Sequence, residues 1–209
     1  MAITNYGELK VAVANWLARS DLTARVPELV TLGESRLYAE LRVRFMEATT
    51  SVVVTANTRN TALPTNWVQG RAVYIEGPPA KRLEYRTPVE YWAIHANRPV
   101  GQPDVFTIVG DEFLWGPSPG GTGYTAKAVY YKRPDPLTVD SATNGVFTLA
   151  PNLLLYASLI EASPFLGNDA RVAVWTTLYE DLLAKVQAAD SRDRYSGDVR
   201  TANTEAQRT

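Results

Sequence analysis

Between Asn168 and Arg194 the residues Val172, Trp175, Thr176, Leu178, Tyr179, Leu182, Leu183, Val186 and Ala189 recur at steps of three and four, the spacing of one helix face. Arg171, Glu180, Asp181, Lys185 and Asp190 fall on the other side. Asn168 suits the N-cap, and Asp169 the positive end of the helix dipole. At 1.5 Å per residue this helix runs roughly 40 Å and must lie against others. The same period predicts three of them. Asn5 and Glu8 read as a capping box for a helix over residues 5–18, with Leu9, Val13, Trp16 and Leu17 as its stripe. A second is capped by Ser20 and Asp21, has Pro27 in its first turn, and runs through Val26, Leu29, Val30, Gly33, Leu37 and Leu41 to about Arg44. A third starts at Pro151 and is apolar on nearly every side (Leu153, Leu154, Tyr156, Ala157, Leu159, Ile160), as a helix surrounded by partners should be. Pro164 and Gly167 end it. Gly33 sits on a stripe where it is about 1 kcal/mol worse than alanine, which predicts the close approach of another helix.

From Thr49 the period falls to two. Val52 and Val54 alternate with Ser51, Val53 and Thr55, and Ala56–Asn60 reads as a turn. Further strands are predicted at 71–76, 82–85, 105–109, 112–115, 124–132 and 146–149. Gly110-Asp111 is a two-residue hairpin connection with positive φ at the glycine. Thr87 caps a short helix over Pro88–His95. The prolines at 78, 79, 134 and 136 break the pattern. The fold class is therefore α+β: a four-helix bundle, two helices from each end of the chain, with a small antiparallel β domain inserted and an extended C-terminal tail. The predicted boundaries are 1–47 and 150–190 for the bundle, 48–149 for the β domain and 191–209 for the extension. After Ala189 only Tyr195 and Val199 are sizeable apolar groups, too few to offset the entropy of ordering the segment, so the tail needs a partner surface.

Composition narrows what such a fold does. The 209 residues contain no cysteine, which excludes disulfides, thiolate metal sites and a cysteine nucleophile. Apolar runs fall short of the ~20 residues of a membrane span, and no signal-peptide pattern opens the chain, so a soluble protein that needs no export is expected. With 21 basic and 22 acidic residues the net charge is −1, giving no general attraction to nucleic acid or an anionic bilayer.

Candidate chemistry is sparse. The single histidine, His95, ends the short helix without a nucleophile nearby in sequence, and one histidine with no cysteine makes a poor zinc site. Gly116–Gly121 has the glycine spacing of a phosphate loop, but Thr122 stands where lysine is needed, and Pro117 and Pro119 remove amide donors. Asp111-Glu112 and Glu180-Asp181 are adjacent pairs that do not face each other on a strand or a helix. Asp104 and Asp111 are placed closer, across the predicted hairpin. Trp67, Tyr74, Tyr85, Trp92, Phe106, Trp115, Tyr124, Tyr130 and Tyr131 cluster in the β region. Alternation assigns about half to a core, with Tyr130 and Tyr131 on opposite faces; exposed, the rest would suit stacking on sugars. Arg36, Arg42 and Arg44 interleave with Glu34, Glu40 and Glu47, which reads as a salt-bridged face.

Six stretches together, ITNYGELKVAVANWLARSDL, GESRLYAELRVRFME, LEYRTPVEYW, YYKRP, APNLLLYASLIEASPFLGNDAR and LYEDLLAKVQAADSRDRYSG, resemble the head-to-tail adaptors (connectors) of tailed bacteriophages, chiefly short-tailed ones, over residues 3–197. The resemblance implies a non-enzymatic virion protein without cofactor, a ring of 12 copies joining portal to tail (nozzle) protein. DNA crosses the ring without specific binding, no membrane is involved, and assembly takes place in the host cytoplasm. It implies portal docking by the C-terminal extension, with Arg192, Arg194, Tyr195, Val199 and Arg200 as contact groups, and a β side facing the tail through loops holding Pro78, Pro79, Pro117 and Pro119. The alternatives are a glycan-binding β module on a helical stalk and, last, an enzyme using Asp104, Asp111 or His95.

Overall fold

The computed structural model describes residues 2–95, 97–167 and 169–195. The chain forms two compact units, residues 1–45 with 134–209, and residues 46–133. It returns to the first unit at Pro134, sixteen residues before the predicted boundary at 150.

The first unit is helical. Among the described residues it holds α1 (Tyr6–Leu17) and α2 (Val26–Glu40) from the N-terminal part, with α4 (Gly145–Leu149), α5 (Pro151–Glu161), α6 (Ser163–Leu166) and α7 (Ala170–Tyr195) from the C-terminal part; the intervening α3 (Pro88–Ile94) belongs to the β unit. The central helix is α5, with Leu153, Leu154, Leu155, Ala157, Ser158, Leu159 and Ile160 buried; α1, α2 and α7 all pack on it. Asn5 caps α1 by accepting the Glu8 N–H at 2.9 Å, but Glu8 reaches back to Thr4 rather than closing the box on Asn5. Ala18, in the left-handed region at φ 52°, ends α1. Its last carbonyls, of Trp16 and Leu17, accept from the Arg171 guanidinium of α7 at 3.1 and 3.4 Å. The predicted approach at Gly33 is present: a Cβ there would lie 2.7 Å from the backbone nitrogen of Ser158 in α5.

Three expectations for this unit need correction. Residues 146–149, predicted as a strand, belong to α4, because the Asn144 side chain accepts from the Val146 N–H at 3.0 Å and starts a helical turn that buries Val146 and Phe147. Leu178, assigned to the buried stripe of α7, is exposed together with Val174; Trp175, Tyr179 and Val186 make the contact. The extension does not begin at 191, since α7 continues to Tyr195. Asp190 holds that end, accepting the Arg44 N–H at 2.7 Å and the Arg194 guanidinium at 2.7 Å. Asn168, the predicted cap of α7, lies outside the described residues.

The second unit is a sandwich of two four-stranded sheets. One contains β1 (Glu47–Val54), β3 (Trp67–Ile75), β4 (Lys81–Arg82) and β8 (Tyr124–Lys132) in the order β1-β8-β3-β4. The other contains β2 (Asn60–Ala62), β5 (Glu84–Tyr85), β6 (Val105–Val109) and β7 (Glu112–Gly116) in the order β2-β7-β6-β5. The pairing is antiparallel as expected except at β5, which runs parallel to β6. Gly110, at φ 59°, makes the tight β6–β7 turn. Between the sheets lie Val52, Val54, Val73, Ile75, Ala126 and Ala128 from one and Phe106, Phe113 and Trp115 from the other. The outer face of the second sheet is covered by α3 (Pro88–Ile94), whose Thr87–Glu90 capping box is complete and whose Tyr91 packs with Val105 and Leu114.

Candidate functional site

Of the groups considered for catalysis, His95 and Asp104 meet, 4.0 Å apart and bridged by Arg98, while Asp111 does not join them. His95 is buried, and its Nδ1 accepts from Arg98 at 3.1 Å while the same guanidinium reaches Asp104 at 3.0 Å. Asp104 and Asp111 lie at opposite ends of the β6–β7 hairpin, since Asp104 bonds to Gly116 and Asp111 sits in the turn after Val109. That spacing is roughly 20 Å at 3.3 Å per residue, which corrects the expectation that the hairpin draws them together. Among the described residues no group of three or more histidines and carboxylates could hold a metal ion.

The aromatic residues mostly build the core. Trp115 is 0% exposed and donates its indole N–H to Thr61 Oγ1 at 3.0 Å, while Tyr91 donates its hydroxyl to the Trp115 carbonyl at 2.9 Å. Trp67 stacks on Tyr130 at 4.7 Å and meets Phe113 edge-on at 5.2 Å. Tyr130 and Tyr131 are both buried: the first by Trp67, the second beneath the Arg71 guanidinium at 5.6 Å. Trp115 is therefore closed to a sugar. Of the aromatic residues clustered in the β region, Tyr85 and Trp92 are exposed, 52% and 53% accessible, and α3 also exposes Val89 and Ile94.

Two surfaces of the β unit stand open. A cavity of about 980 Å³ opens where the first half of β3 faces β6, with Trp67, Phe106 and Ile108 on its walls and Arg71, Asp111 and Arg133 among its polar lining. The other is the edge of the first sheet at β1, which among the described residues pairs with β8 on one side only.

The residues assigned to partner contact are dispersed. Arg192 is exposed on the last turns of α7, its Nε 3.3 Å from the Ala188 carbonyl, and Arg194 is paired with Asp190, the two side chains only 17% and 13% accessible. Both cations sit at the negative end of the helix dipole, a structural role in itself. Tyr195 is the last helical residue; Val199 and Arg200 lie outside the described residues. Pro78 and Pro79 are exposed, whereas Pro117 and Pro119 are buried, their segment bonded to Gly101 and Asn57. The part of that loop facing outward is Gly121-Thr122.

Of the predicted salt-bridged face, Arg36 pairs with Glu161 at 2.5 Å, and Glu40 accepts from the Tyr179 hydroxyl at 2.9 Å. Burial and the Glu40 carboxylate together push the Tyr179 hydroxyl well above its ordinary pKa. Glu34 is not on that face. It is buried beside the Tyr38 hydroxyl at 3.2 Å, which in turn accepts from Asn144 at 2.8 Å, and desolvation raises its carboxyl pKa despite the Tyr38 and Leu137 hydrogen bonds.

The family model for SU10 adaptor protein matches residues 4–202. No curated protein matches the chain.

Proposed function

The chain belongs to the SU10 adaptor protein family, and from that premise we propose that it is a structural piece of a phage virion, a ring between portal and tail through which DNA passes. The match across 4–202 carries this reading. The single histidine is buried and engaged with Arg98 and Asp104, an arrangement that reads as structural, and a net charge of −1 suits a channel wall that DNA crosses without sticking. A closed ring repeats one heterologous contact around an axis, and many docking segments presented together turn modest single contacts into lasting attachment.

Docking onto the portal is assigned to the chain from Arg192 onward. The test is co-sedimentation with purified portal rings. The full chain is expected to form a stoichiometric complex, and a chain ending at Tyr195, which keeps the whole of α7 with Arg192 and Arg194 but lacks Val199 and Arg200, is expected to fold and to bind more weakly. Undiminished binding by that truncated chain would remove the docking role from the residues beyond it.

A further inference from the structure

The first sheet of the β unit is open at both sides. β1 pairs with β8 along all eight residues in unbroken register, and its outer edge has no strand beside it among the described residues. It carries no proline and no bulge, two of the devices that ordinarily keep an edge from pairing. On the far side, β4 pairs only with Tyr74 and Ile75, and Leu83 bonds to Val73, so on that side residues 67–72 of β3 have no strand beside them among the described residues, and 67–71 form one wall of the cavity. Both strands run antiparallel to β8 and therefore parallel to each other, two strand spacings or about 10 Å apart.

Open edges on opposite sides of one sheet are the requirement of a heterologous contact, in which one edge of each copy meets the other edge of the next; β1 against β1 would be two-fold and stop at a dimer. The charges agree. Glu47 is level with Tyr131, and Tyr131 with Gln69, so all three form one row. Within a chain the Arg71 guanidinium reaches Glu47 across the Tyr131 ring. In the unshifted row a neighbour's residues 50–52 would fall on residues 73–75, which Leu83 and β4 already hold, so the incoming strand sits further along, with Ser51 beside Gln69 and Glu47 near Asn66 and Arg133, whose backbone N–H bonds to the Asn66 carbonyl. Bulges at Trp67/Gln69 and Gly70/Ala72 add local twist to the receiving strand, so the incoming strand belongs to a copy turned relative to the first, as a closing ring needs.

We propose that copies of this chain join by pairing the outer edge of β1 in one with residues 67–72 of β3 in the next, covering the cavity mouth and bringing Glu47 of one copy near Arg133 of the next. This rests on the ring reading above and specifies its repeated contact. The absence of cysteine allows a direct test in the full chain assembled on portal rings. Gln69→Cys is combined in turn with Ser51→Cys, Thr49→Cys and Val53→Cys, so that register offsets of two residues in either direction are also caught. Oxidation is expected to give a covalent ladder up to the complete ring for at least one pair, and each single variant is expected to stay monomeric on a denaturing gel. A ring confirmed by native mass spectrometry with no ladder from any pair overturns the contact while leaving the ring intact, and dimers from Ser51→Cys alone overturn it in favour of two-fold pairing. Hydrogen exchange of the unmodified chain is independent of folding defects in variants: amides of β1 and of residues 67–72 are expected to slow on ring formation, and unchanged exchange there overturns the contact. If the unmodified chain forms no ring on the portal, the ring reading itself fails and the contact falls with it.

Discussion

Gly33 and Ser158 set the distance between α2 and α5. The close approach is to backbone, 2.7 Å from a built Cβ to the Ser158 nitrogen, and Ser158 is itself held by a 2.7 Å bond to the Leu154 carbonyl. Alanine at 33 would gain about 1 kcal/mol in helix propensity, but overpacking against an element that cannot yield costs about 1–3 kcal/mol. Gly33→Ala is expected to be destabilising by about 1 kcal/mol, read as a lower urea midpoint at unchanged m value. Glu34, one residue on, gives a pH dependence. Its folded-state pKa is raised by burial, so the folded chain holds its proton where the unfolded chain has lost it. The contribution is fully present below the ordinary carboxyl value and is lost as pH rises through the raised one. Glu34→Gln is expected to remove that segment of the stability-versus-pH curve; an identical slope in both proteins would show that the buried carboxyl is not its source.

Elements with a sustained period were legible in the sequence, and short ones were not. β6 and β8 follow their apolar alternation, and the capped starts of α1 and α3 follow Asn5 and Thr87. Residues 146–149 defeated the same reasoning because a four-residue apolar run is as compatible with one helical turn as with a strand; the deciding group, Asn144, lies outside the run. β2 is three residues of polar character, visible only through its pairing with β7. The partly open edge of β3 depends on how little of it β4 covers, a tertiary fact absent from any local pattern. The extension is predicted too early, at 191, although the helix itself reads to Arg194: what holds its last turns is not apolar burial but Asp190, bonded to Arg44 some 146 positions away. Replacing Asp190 with alanine leaves that N–H and the little-exposed Arg194 guanidinium without this acceptor. We expect a loss of about 1–3 kcal/mol, with hydrogen exchange accelerated in the last two turns of α7 and unchanged in α5. Uniform acceleration across all helices would mean that Asp190 serves the whole unit rather than its end.

At the scale of the whole molecule, the β unit is an insertion whose ends are neighbours. It begins at Met46 and ends at Arg133, and Glu47 and Tyr131 are register partners in adjacent strands. Directly opposed residues in an antiparallel pair have Cα atoms about 5 Å apart. A linker of a few glycines and serines between Phe45 and Pro134 should therefore span the gap left by excision. Each unit has its own buried core, the helical one around α5 and the other between two sheets, and a unit with its own core can in principle fold alone. Excision of 46–133 is expected to leave a cooperatively folded helical protein, judged by calorimetry, that still co-sediments with portal rings because the residues assigned to docking remain. The excised β unit is expected to fold separately, but mixed with portal it should neither bind nor form rings. Excision also separates the two proposed contacts: if the helical unit alone still assembles as a closed ring off the portal, the joint between copies lies in the helices rather than along β1 and β3. If it binds the portal as separate subunits, the sheet edges supply the closure.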